Sequence, residues 1–124
     1  MLLRFVLPKM LERDAKSGVI NVSSQSALLK RPGSIIYGPS KRFEDVLSRS
    51  VAHEVKANID MLSVRPLYFT SSMTEKAHLT STDCAKATLD KLGYEDTTAG
   101  HWQHNLQATL IDWLVSVLLE RAYD

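Results

Sequence analysis

Along this chain, apolar residues recur at helical spacing, gather into a compact run, and return to helical spacing, and the switch repeats to the end. Within residues 1–14, Leu2, Leu3, Val6 and Met10 can share one helical face. Pro8 interrupts that pattern; inside a helix it removes a hydrogen bond at a cost of about 3 kcal/mol, so the first turn is expected to fray or to belong to something longer. "SGVINVS", 17–23, is a β-branched run behind a glycine and predicts a buried strand. "LKRPGS", 29–34, predicts a loop by its Pro-Gly pair. From Ile36 to Lys56 the pattern is helical, with Phe43, Val46, Leu47, Val51 and Val55 on one apolar face and Pro39 tolerated in the first turn. "NIDMLSVRP", 58–66, predicts a second strand stopped by Pro66. "TSTDCAKATLDKLG", 80–93, predicts a helix with a Ser/Thr/Asp start and a glycine stop. "GHWQHNL", 100–106, predicts a short third strand, and 106–123 a strongly apolar final helix.

Strands alternating with helices across short connections predict an α/β fold, a parallel sheet of about three strands with helices on its faces. The 124 residues amount to one domain over 1–124, without repeats, low-complexity tracts or linkers. Apolar content of 44% and charged content of 23% are those of an ordinary globular protein. A formal charge of +1 gives no field to attract nucleic acid. Cys84 is the only cysteine, which excludes an intrachain disulfide, and it is read as a small helix residue. No apolar run approaches the roughly 20 residues of a membrane span. Near the start, Arg4, Lys9 and Arg13 suit a mitochondrial targeting helix, while Glu12 and Asp14 oppose one.

Candidate chemistry lies in "INVSSQSALLKRPGSIIYGPSK", 20–41. Tyr37 and Lys41 stand one helical turn apart on one face. An ammonium roughly 5 Å from a phenol, at an effective dielectric of about 20, favours the phenolate by about 3 kcal/mol. A phenol so placed can protonate a carbonyl oxygen as that oxygen gains charge. Ser24 ends the first strand, where ligands collect in parallel sheets, and its hydroxyl could bond the same oxygen. The three groups suit carbonyl reduction or alcohol oxidation but supply no hydride. A tyrosine with a lysine four residues on is also common as plain helix surface. His101 and His104 have a spacing that can bind metal, but with no further ligand at the right spacing no metal is assigned.

"NVSS" with Ser24, "YGPSK" with Tyr37 and Lys41, and "VRP" after the next strand resemble the C-terminal half of short-chain dehydrogenases/reductases. "VLPKMLERDAKSGVINVSS", "RPLYFTSSM" and "TTAGHWQH" resemble that family's very-long-chain 3-oxoacyl-CoA reductase and 17β-hydroxysteroid dehydrogenase branch. The resemblance implies a Rossmann-like doubly wound sheet and an NADPH-dependent reductase of a lipid-like ketone. It makes Tyr37 the general acid/base. Lys41 becomes the residue that holds the cofactor ribose and tunes the phenol, and Ser24 the residue that steadies the substrate carbonyl. The backbone after Pro66 and the Ser71 hydroxyl are implied at the nicotinamide amide. Leu67 replaces the glycine usual after the proline, and Ser71 the usual threonine.

The family's nucleotide-holding half precedes these motifs. None of the five glycines falls in a G-x-x-x-G-x-G pattern, so no phosphate cradle is expected here. The chain is therefore expected to be a truncated reductase, or a reductase-derived, non-catalytic subunit whose exposed sheet edge is covered by its missing half, a second copy or other chains. The apolar face of the last helix, with Leu110, Ile111, Leu114, Val115, Leu118 and Leu119 beside Trp102 and Trp113, is expected to pack in a core or subunit contact, or to lie in a membrane interface. The resemblance implies the endoplasmic reticulum membrane or the cytoplasm.

Overall fold

Parallel strands cannot be joined by a tight hairpin, so each pair in this chain is bridged by a helix. Strand β1 (Ser17–Val22) pairs with β2 (Ile59–Val64) in parallel, from Ser17 opposite Ile59 to Val22 opposite Val64. Strand β3 (Thr97–Thr98) pairs with the end of β2, giving the order β1-β2-β3. Helix α2 (Tyr37–Val55) makes the first crossover and α3 (Ser81–Leu89) the second; α1 (Leu3–Leu11) precedes the sheet and α4 (Trp102–Tyr123) follows it. The computed structural model describes residues 2–29, 33, 35–70 and 79–123, and in α4 the side chains only as far as Leu114, Asp112 excepted. Most of the predicted 29–34 loop, and Val115, Leu118 and Leu119 of the predicted apolar face, thus lie outside the described side chains.

The central strand explains the core. Ile59, Met61, Leu62, Ser63 and Val64 are all buried, as a strand covered on both faces must be. On one face Ile59 and Met61 cluster with Ala52 and Val55 of α2, joined by Leu3, Leu7 and Met10 of α1 and Val19 of β1. On the other face the turn after α3 closes on β1. A Cβ added at Gly18 would lie 2.6 Å from the Leu92 side chain, so a larger residue there would require the leucine to turn aside. Helix α1 runs unbroken through Pro8 rather than fraying at its first turn. Arg4, whose carbonyl loses its partner to that proline, is exposed and can turn to water.

Three expectations are corrected. The 17–23 strand is not buried: no residue of β1 is fully covered and Val22 is 61% exposed, because β1 lies at the sheet edge. The predicted third strand at 100–106 is instead a turn and the start of α4. Gly100 takes φ 86°, Gln103 N–H donates to His101 Nδ1 at 3.3 Å, and Ala99 N–H donates to Asn105 Oδ1 at 2.9 Å, which together fasten the helix start. The strand itself is shorter and earlier, at Thr97–Thr98.

The third correction concerns α2. Its buried residues are Gly38, Asp45, Ser48, Ala52 and Val55, whereas Phe43 and Val46 are exposed. Polar bonds to the sheet set this rotation. Ser63 Oγ donates to Asp45 Oδ1 at 2.7 Å, Asn21 Nδ2 to Ser48 Oγ at 2.9 Å, and Ser23 Oγ to the Lys41 carbonyl at 2.6 Å. The other Asp45 oxygen lies 3.6, 3.7 and 3.8 Å from Arg42, Arg49 and Arg65. A buried carboxylate needs such company.

Candidate functional site

Beyond the sheet ladder, the exits of β1 and β2 remain laced together. Ser23 N–H bonds the Val64 carbonyl at 2.7 Å and Gln25 N–H bonds the Pro66 carbonyl at 3.2 Å. Ser24 is extended (φ −160°, ψ 152°) and opens a short 3₁₀ turn, Gln25–Ala27, with its Oγ accepting from Ser26 N–H at 3.2 Å. That bond uses an acceptor position and leaves the Ser24 hydroxyl proton free to donate. Tyr37 is the first residue of α2, and Ser40 Oγ donates to its carbonyl at 2.9 Å. Gly38 is buried where this first turn packs.

Ser24, Tyr37, Lys41 and Pro66 line one cavity of about 740 Å³ at the carboxyl ends of β1 and β2. Leu67, Tyr68 and Phe69 make its apolar wall, and Ile111 reaches it from α4. Ser71 lies outside the described residues. Tyr37 is 51% exposed. Lys41 Nζ is held by the Val22 carbonyl at 3.3 Å and by Glu44 Oε2 at 2.8 Å. The spacing of Tyr37 and Lys41 drew attention, but Glu44, three residues past Lys41, was not anticipated; its signal was the i, i+3 pairing of opposite charges. An ammonium has three donors, so one remains for a ligand.

Ser23, Gln25 and His104 also shape the site, and none was anticipated there. Ser23 is buried and fastens β1 to α2 at Lys41. His104, 3% exposed, puts Nε2 3.1 Å from the Tyr68 carbonyl, so α4 fastens the segment that walls the cavity. It therefore holds backbone, and among the described residues no group of three or more His, Cys, Asp or Glu could hold a metal. Cys84 is buried on α3; burial pushes its thiol up, opposed by hydrogen bonds from the His101 backbone and the Thr88 side chain.

A family model described as short chain dehydrogenase matches residues 1–82. The chain is 30% identical over 120 residues to hydroxysteroid dehydrogenase-like protein 1 of Gallus gallus, covering 89% of this chain and 36% of that protein. It is 33% identical over 121 residues to very-long-chain 3-oxoacyl-CoA reductase-A of Danio rerio, covering 93% of this chain and 36% of that protein. The chain thus spans a little over a third of the length of these curated relatives. A solved structure from a study of 7β-hydroxysteroid dehydrogenase stereoselectivity aligns with 93% of this chain and 46% of its own, at a TM-score of 0.69 and 22% identity, a likeness of fold.

Proposed function

We propose, from the premise that this chain belongs to the short-chain dehydrogenase family, that its cavity is the carbonyl-handling part of an NADPH-dependent reductase of a lipid-like ketone, a 3-oxoacyl thioester or a steroid. The observation that carries this reading is the convergence of Ser24, Tyr37 and Lys41, from a strand exit and a helix start, on one cavity. Tyr37 gives its hydroxyl proton to the ketone oxygen as charge builds there. The Lys41 cation favours the resulting phenolate, and the Ser24 hydroxyl donates a second hydrogen bond to the same oxygen. Leu67, Tyr68 and Phe69 offer an apolar wall for the rest of a lipid-like molecule.

A nicotinamide cofactor, when bound, supplies the hydride. The residues here fit its nicotinamide-ribose end. Lys41 keeps one donor for a ribose hydroxyl, and the backbone after Pro66 would receive the carboxamide. They offer no pattern for its pyrophosphate, since the five glycines form no G-x-x-x-G-x-G turn. The choice of NADPH rests on the resemblance to the 3-oxoacyl-CoA reductase branch.

The test is NADPH-dependent reduction of a 3-oxoacyl-CoA by these residues in a chain that also carries a nucleotide-binding half, with Tyr37 intact and as the Tyr37→Phe variant. Loss of the general acid should lower kcat/KM by about 10²–10⁴-fold, with the melting temperature nearly unchanged because the ring stays. A variant that keeps its activity would end this reading.

The same reading sets the protein at a lipid surface, for which the endoplasmic reticulum membrane is the proposed location. Trp102, Leu106, Leu110, Trp113 and Leu114 are each more than half exposed, and the first four recur every three or four residues along α4, with Leu114 beside Trp113. Among the described residues no helix is long and apolar enough to cross a membrane, so contact would be interfacial. Flotation with phospholipid vesicles should carry the protein upward, and Leu110→Glu with Leu114→Glu should leave it at the bottom.

A further inference from the structure

Gln25 immediately follows Ser24, lines the same cavity, and is 4% exposed. Its backbone N–H is spent on the Pro66 carbonyl, which holds the residue in place whatever its side chain does. Its side-chain nitrogen, Nε2, is buried without a hydrogen-bond partner among the described residues. A buried amide nitrogen with nothing to donate to is an unfavourable arrangement that folding alone does not explain. It makes physical sense if a ligand supplies the missing acceptor. The neighbouring cavity donors differ from it: the Ser24 hydroxyl is small and rotates freely, whereas Lys41 is charged and already holds Glu44 and the Val22 carbonyl. A neutral, fixed NH₂ group suits a neutral oxygen.

We infer that the Gln25 side-chain amide is a recognition donor of this cavity, taking a carbonyl oxygen of the bound molecule. The inference rests on the cavity being the ligand site proposed above. Two ligands could present that oxygen, a substrate through a second carbonyl or the cofactor through its carboxamide, and separate titrations tell them apart.

The experiment compares the full protein with Gln25→Met and Gln25→Leu, which keep bulk and remove the donor. Melting temperature is measured beside the Kd for NADPH and, separately, for acetoacetyl-CoA. A structural glutamine and a recognition glutamine give opposite results. Removing an unpaired buried amide should leave the melting temperature unchanged or raise it. Affinity for one probe should fall roughly tenfold, and the probe affected identifies the source of the carbonyl. Affinities within about twofold of wild type for both probes would overturn the inference while leaving the proposed function standing. Lower melting temperatures in both variants would make Gln25 a structural residue and overturn it too. Wild-type protein that binds neither probe would overturn the proposed function and this inference with it.

Discussion

Ser23 and Ser24 are neighbours whose side chains have different partners: the first bonds the Lys41 carbonyl, the second accepts from Ser26 N–H. Alternation along an extended chain sends successive side chains to opposite sides, so only one of the pair can be spent on α2. The cavity shared by Ser24, Tyr37 and Lys41 was legible in their chemistry and spacing. Gln25 and His104 were not, since a polar residue's burial depends on elements distant in sequence. Cys84 allows a residue-scale prediction. Burial holds its thiol above the ordinary range, with the His101 and Thr88 hydrogen bonds opposing. A thiol raised on folding binds its proton more tightly in the native state. Its contribution to stability is therefore complete below the unfolded thiol pKa of about 8.5 and declines as pH rises past it. Iodoacetamide should label Cys84 slowly in native protein at pH 8 and quickly in urea. Equally fast labelling in both would contradict the burial.

At the scale of elements, α2 decides where the site lies, since it carries both Tyr37 and Lys41 at its start. The helix and its limits were legible from period and from Pro39, but its rotation was not. Apolar periodicity picks out Phe43 and Val46, whereas the buried face is set by Asp45 and Ser48 meeting polar groups of the sheet. A hydrophobic count is blind to such pairing. The misplaced third strand has a similar origin: His101 and Asn105 act through bonds that start a helix, while their neighbours read as extended. The rotation of α2 predicts a reversal of the usual rule for a core. Asp45→Ala removes the acceptor of Ser63 and leaves Arg65 facing an empty place, and should lower stability by about 2–4 kcal/mol. Phe43→Ala, on the exposed side, should cost less than about 1 kcal/mol. Urea denaturation of the two variants checks the order; a larger loss at Phe43 would restore the periodic assignment.

At the scale of the molecule, the parallel order was legible from the alternation of strands and helices, but the accessibility of β1 was not. "SGVINV" reads the same in the middle of a sheet as at its margin. Position alone makes the difference, because among the described residues β1 pairs only with β2. Beside that free edge runs a groove of about 390 Å³ shared by Leu2, Val22, Phe43 and Leu47. Leu2, Val22 and Phe43 are 77%, 61% and 63% exposed, and Phe5 of α1 is 70% exposed. An open strand edge next to exposed apolar side chains is a surface that soluble proteins normally cover. The 124-residue chain by itself should therefore associate as its concentration rises, seen as a growing mass in light scattering. Val22→Lys with Phe43→Lys puts charge at the edge and in the groove without touching the buried face of α2. That variant should stay monomeric and melt no lower than the parent. A parent chain that remains monomeric at every concentration would show that the edge and groove need no cover, and that the sheet is stable with β1 open to water.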